Sequence, residues 1–239
     1  MSQRHAIAIA GWAQSADSLE KLSGNLSDKL DIRLSSVTQL HETSGNPAYS
    51  NTLGNTCQEF PKPPLLIGWS AGAMAAIETA ADFPDRISGL ILISATAKFC
   101  KDESYSTGVD PKFLLSMIDN LKTDKAKTLK RFMSRMFYPA KPEAQVLERY
   151  MTYALSVPDE ILVHGLKYLQ HTDLRKQICS IKPPTLIIHG DKDRIIPHES
   201  GLFLAKQIQC PEPALIKNAG HALPETHCSE IASCIADFV

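Results

Sequence analysis

The stretch Leu65-Leu66-Ile67-Gly68-Trp69-Ser70-Ala71-Gly72-Ala73-Met74-Ala75-Ala76 constrains this chain more than any other. A short apolar run, the mark of a buried strand, meets Gly-x-Ser-x-Gly, and small helix-forming residues follow at once. That order predicts a sharp strand-to-helix turn that lifts the Ser70 hydroxyl above the end of a sheet, the nucleophile-elbow layout. Gly68 and Gly72 fall where a Cβ would collide with neighbouring backbone. The helix behind Ser70 offers free N–H groups and a positive dipole end to a developing oxyanion. Ser70 is the candidate nucleophile.

The flanking pattern extends the strand–helix alternation. His5 to Ala10 is a continuous apolar run, expected as a strand buried on both faces of a parallel sheet, and it ends at Gly11-Trp12. Asp17 to Leu30 has helical spacing, Asp31 to Val37 reads as a weaker strand, and His41 to Ser50 reads as a loop. A poorly marked helix is expected within Tyr49 to Phe60. The helix after Ser70 should run to about Asp82, before Pro84, and Arg86 to Ser94 holds the next strand. Alternation then stops. Asp110 to Leu121, Asp124 to Phe137, Pro142 to Leu155 and Pro158 to Gln170 all have helical spacing, with no strand between. The sheet resumes at Thr185 to His189, followed by a helix near His198 to Gln207, a strand near Ala214 to Lys217 and a terminal helix after Pro224. The expected class is α/β, a mostly parallel sheet with helices on both faces. Residues 1–96 and 182–239 would form the core and 97–181 an inserted helical cap.

A serine hydroxyl needs a base to take its proton, and the base needs an orienting carboxylate. For an elbow serine these follow in the order acid, then histidine. Asp193 lies just past the strand ending at His189, and His221 lies in Asn218-Ala219-Gly220-His221 just past the next strand. Both fall at carboxyl ends of strands, where open α/β sheets place their sites. Asp191 is an alternative acid that local spacing leaves open; its other role would be to bond backbone in the turn. His189 reads as a packed, hydrogen-bonded histidine. The oxyanion hole would use the N–H of Ala71 and that of Trp12, in the loop after the first strand. Trp69 could equally pack the core or line the pocket.

Bulk properties exclude several other classes. The 239 residues carry a formal net charge of −1, so nothing global points to nucleic acid or an anionic membrane as partner. The apolar stretch Ala6 to Ala10 is too short for a secretion signal, and no run reaches the length of a membrane span. Cys57, Cys100, Cys179, Cys210, Cys228 and Cys234 show no ligand spacing, and no histidine pair has the helical spacing of a zinc site. They read as reduced thiols of a cytoplasmic protein, expected to act as a monomer without metal or cofactor.

Gly68-Trp69-Ser70-Ala71-Gly72, Gly190-x-x-Asp193 and Gly220-His221 together resemble the α/β-hydrolase superfamily over nearly the whole chain. Within it the chain is similar to the pimeloyl-acyl-carrier-protein methyl ester esterases of biotin synthesis. Ala10-Gly11-Trp12 resembles that family's His-Gly-Trp oxyanion loop, and Lys130-Arg131-Phe132-Met133 resembles a cap region lining the acyl chain. Leu166 to Arg175 resembles the segment leading back to the sheet. The resemblance implies an acyl carrier protein as partner and a substrate-lining role for Phe132 and Met133, with Arg135 and Met136 on the same helix. There are departures: the histidine of His-Gly-Trp is Ala10, the usual antiparallel strands before the first parallel one are not seen, and Thr38 to Ser50 replaces a Gly-rich loop.

Charge in the cap agrees with an acidic partner. Between Leu121 and Tyr150 eight basic residues face three acidic ones, a net +5. Lys127, Arg131 and Arg135 fall at i, i+4 and i+8, one helical stripe that could dock a carrier protein or simply face solvent. Three other functions remain open at this level. A hydrolase of small esters or thioesters would not need the stripe. A lyase or carbon–carbon hydrolase could use the same triad. A non-catalytic receptor would not need the Ser, Asp and His set.

Overall fold

The apolar runs become strands because only a sheet covered on both sides can bury every residue of such a run. In the computed structural model, which describes residues 3–44 and 49–239, β1 (Arg4–Ala10), β3 (Leu65–Trp69) and β4 (Gly89–Ile93) are the innermost of these, the last two buried throughout. With β2 (Leu30–Ser36), β5 (Thr185–Gly190) and β6 (Ala214–Ile216) they form a six-stranded sheet in the order β2-β1-β3-β4-β5-β6. All pairings are parallel. The chain goes outward from β1 to β2, then returns to lay β3 on the other side of β1. That reversal opens a crevice at the carboxyl ends of β1 and β3, and the segments following those strands carry Trp12 and Ser70.

Helices cover the sheet on both sides. On one, α4 (Ala71–Asp82) packs along β1, β3 and β4 and carries α3 (Ser50–Cys57). Its alanine-rich surface permits this close approach, and Ala73, Ala75, Ala76 and Ala80 are fully buried. On the other, α1 (Glu20–Asn25) packs against α11 (Cys228–Phe238), which contacts β5 and β6. Helix α9 (His198–Ile208) packs on β5, and the short α10 (Leu223–Thr226) precedes α11.

Two expectations near the N-terminus are corrected. The helix expected over Asp17 to Leu30 is instead a 3₁₀ turn at Ala16–Leu19 followed by α1, which stops at Asn25. Gly24, Asn25, Ser27 and Asp28 are poor helix residues, and Leu26 and Leu30 stay buried by way of tight turns instead. The loop expected over His41 to Ser50 begins as helix, since α2 spans Val37–Ser44. Val37 and Leu40 are its only apolar residues, too few to mark a period along the chain, but the Ser36 hydroxyl accepts from the Gln39 N–H and caps its start. The middle of that expected loop, residues 45–48, lies outside the described residues.

Between β4 and β5 run four helices, α5 (Pro111–Thr123), α6 (Lys125–Phe137), α7 (Ala144–Ser156) and α8 (Asp159–His171). The carboxylates of Asp110 and Asp124 accept from the N–H groups of Lys112 and Lys127 and cap α5 and α6. Leu129, Phe132, Met133, Met136 and Phe137 form the buried face of α6. Among the described residues, no helix is long and apolar enough to cross a membrane, and no group of His, Cys, Asp and Glu could hold a metal ion.

Candidate active site

Ser70 sits at the turn between β3 and α4 with φ 60° and ψ −121°, a conformation that costs a non-glycine residue about 1–3 kcal/mol. The surroundings enforce it. The Ser70 N–H bonds to the Ile93 carbonyl of β4 at 3.0 Å, and α4 begins at the next residue. A Cβ on Gly68 would meet the Gly72 carbonyl at 2.6 Å, and one on Gly72 would press into the backbone of Ile9 and Ala10. Glycine at both places lets α4 start directly against β1.

Two loops from the carboxyl end of the sheet bring the partners. His221 follows β6 and is 1% exposed; its Nε2 lies 2.8 Å from Ser70 Oγ. Its Nδ1 lies 2.7 Å from Oδ2 of Asp193, whose side chain is wholly buried. The other oxygen of Asp193 accepts from the N–H groups of Ile195 at 2.8 Å and Ile196 at 2.9 Å. Burial pushes the Asp193 carboxyl up, but the charge of His221 and the donors around it outweigh this and hold it well below the usual carboxylate range. Of the two aspartates, it is Asp193 that reaches His221. Asp191 turns away and accepts from the Ala219 N–H at 3.3 Å, which steadies the loop before His221.

Trp12 lies after β1, in the loop whose Gly11 sits against Ser70, and Ala71 opens α4 directly after Ser70. Neither backbone N–H has a hydrogen-bond partner among the described residues. The Trp12 indole reaches outward: its Nε1 donates to the Leu162 carbonyl of α8 at 2.8 Å, and its ring meets Phe132 of α6 edge-on at 4.9 Å. Trp69, left between core and pocket, is core, 1% exposed. Sequence reasoning missed its second contact, a 2.9 Å hydrogen bond from Nε1 to the His221 carbonyl. Only the unseen neighbour could have revealed it.

The four expected substrate contacts on α6 separate. Phe132 helps line a cavity of about 240 Å³ with Phe113, Met117, Thr128, Arg131 and Arg135, and stands between that cavity and Trp12. Arg135 is on its rim, donates to the Arg194 carbonyl at 3.1 Å and lies over the Phe113 ring. Met133 and Met136 are 0% exposed and present no surface to a substrate; tight packing of α6 on the core takes their side chains. Met136 acts through its backbone, accepting from the Ala222 N–H beside His221 at 3.1 Å. Of the thiols, Cys57, Cys100 and Cys228 are buried, and burial pushes all three up, Cys57 and Cys228 to about 11.

A family model described as alpha/beta hydrolase fold matches residues 48–227. The chain belongs to the α/β-hydrolase family. One relative of this α/β-hydrolase, the pimeloyl-[acyl-carrier protein] methyl ester esterase of Nitrosospira multiformis, is 34% identical over 68% of this chain and 63% of that protein. The chain thus spans less than two thirds of that relative's length. The protein of the same description from Stenotrophomonas maltophilia is 26% identical over 98% of this chain and 92% of its own. Among solved structures, a bromoperoxidase from Bacillus anthracis superposes with a TM-score of 0.88 at 21% identity, covering 99% of this chain and 92% of that one. An esterase from Exiguobacterium antarcticum gives 0.86 at 18% identity over the same shares. At these identities the structural likeness is one of fold, and the α/β-hydrolase sheet is what it shares.

Proposed function

We propose that the protein is a serine carboxylesterase that removes the methyl ester of a pimeloyl chain carried on an acyl carrier protein. The observation that carries the chemistry is the unbroken relay from Asp193 to His221 to Ser70, with links of 2.7 and 2.8 Å. The substrate rests on what the relatives are named for.

In this reading Ser70 Oγ attacks the ester carbonyl while His221 Nε2 takes its proton. The N–H groups of Trp12 and Ala71 hold the oxyanion. His221 returns the proton to the departing methoxide, which leaves as methanol, and the acyl group stays on Ser70. Water then attacks the acyl-enzyme as the same nitrogen takes its proton. Ser70 Oγ regains a proton as it leaves, and the free carboxylic acid departs. Asp193 keeps Nδ1 protonated and supports the imidazolium formed in each half.

The helices within residues 97–181 serve as the cap over a core of 1–96 and 182–239. Phe132 and the cavity beside it take the acyl chain. Lys127, Arg131 and Arg135 are all exposed on α6 and offer a basic face to an acidic carrier. The test is hydrolysis of methyl pimeloyl-acyl carrier protein beside a short p-nitrophenyl ester, with Ser70→Ala as control. Ser70-dependent cleavage of the carrier substrate supports the proposal. Cleavage of the small ester alone keeps the relay and discards the carrier assignment.

A further inference from the structure

We infer that His189 is a positioning residue for the acid of the relay, its Nε2–H bonding the Ile196 carbonyl while it faces the Asp193 carboxylate, so that the acid keeps the orientation His221 needs. The inference rests on the reading of Asp193 as that acid. His189 is the next-to-last residue of β5 and is 0% exposed. Its Nε2 lies 3.0 Å from the Ile196 carbonyl, which can only accept, so this nitrogen carries the hydrogen. The same nitrogen lies 3.5 Å from Oδ2 of Asp193, the oxygen that His221 Nδ1 contacts. The Ile196 N–H meanwhile grips Oδ1 of Asp193. One imidazole therefore faces one oxygen of the acid and ties down the peptide segment that holds the other.

The ring has a built seat. Gly201 lies within α9, where glycine is a poorer helix former than alanine. A Cβ there would stand 2.9 Å from His189 Nδ1. Among the described residues that buried nitrogen has no partner, and the polar contacts of the His189 ring pass through Nε2. The titratable groups interacting with Asp193 are His189 and His221, and both oppose the upward push of burial on its carboxyl. A histidine needed for volume alone would not require its N–H at this point.

Two substitutions separate these roles. His189→Gln keeps an N–H at the ε position, whereas His189→Leu removes it. With a p-nitrophenyl ester, His189→Leu should lower kcat by roughly ten-fold, the scale of outer groups that orient a first layer, and leave KM little changed. His189→Gln should restore most of the loss. In an Asp193→Asn background His189→Leu should cost little more, because the group it positions is already lost. His189→Met, which fills similar volume without an N–H, supplies the same comparison should His189→Leu fail to fold. Equal loss in Gln and Leu variants, or equal cost with and without Asp193, would overturn the inference and leave the relay standing. Full activity in Ser70→Ala and Asp193→Asn would instead overturn the relay itself.

Discussion

The indole of Trp69, the residue before the candidate nucleophile, holds the backbone carbonyl of His221, the candidate base, at 2.9 Å. The residue that completes β3 thus sets the height of the histidine loop above the sheet. The next backbone group, the Ala222 N–H, is held by Met136 at the end of α6. His221 is consequently fixed from the core on one side and from the inserted helices on the other. Trp69→Phe should remove the first tie and leave a buried carbonyl unpaired, at a cost of about 1–3 kcal/mol. Thermal unfolding should show that loss, and kcat should fall more than KM changes.

The two aspartates after β5 predict opposite outcomes. Asp193→Asn should lower kcat by about 10³–10⁴-fold, since an amide can present its N–H to Nδ1 and favour the wrong imidazole tautomer. Asp191→Asn should keep most activity, because its carbonyl oxygen can still accept from Ala219. Steady-state kinetics of the two purified variants, side by side, decide this. Comparable loss in both would remove Asp193 from its assigned role.

Behind the elbow, Glu78 of α4 is mostly buried and accepts from the Tyr49 N–H at the start of α3. Burial pushes its carboxyl from 4.5 up to about 7, against backbone hydrogen bonds that pull it down. The folded value therefore lies above the unfolded one. Its contribution to stability is full below about pH 4.5 and is lost as pH rises through about 7. Glu78→Gln, which keeps an acceptor and cannot ionise, should flatten that decline. Urea unfolding at pH 5 and pH 8 should show the variant gaining on the native protein at the higher pH; an unchanged difference would exclude Glu78 as the source.

Charge reversal tests the docking face. Lys127 and Arg131 are exposed, whereas Arg135 also braces Phe113 and the Arg194 carbonyl. Lys127→Glu with Arg131→Glu should weaken turnover of the carrier-linked ester and spare the small ester. Added salt should weaken the native reaction with the carrier in the same way, since contacts between exposed charges are screened. Equal loss on both substrates would argue against docking through α6.

What could be read along the chain was what depends on neighbours in sequence. The elbow was legible because close approach demands small residues at fixed spacing around Ser70. β1, β3, β4 and β5 were legible as apolar runs, and α5 to α8 as amphipathic spacing. Where local signals are weak or conflicting the sequence misleads: α2 has only Val37 and Leu40 as apolar residues, and α1 stops short among poor helix residues.

The sequence alone determined the parallel α/β architecture, the serine at its turn and the histidine after a later strand, since each is written in local propensity and spacing. Tertiary structure decided which aspartate meets His221, that Trp69 holds the histidine loop, that Met133 and Met136 are packed away, and that His189 faces Asp193. These are contacts across the carboxyl end of the sheet, between residues on different strands and loops. Their distances follow from strand order and helix packing, which no local stretch of the chain encodes.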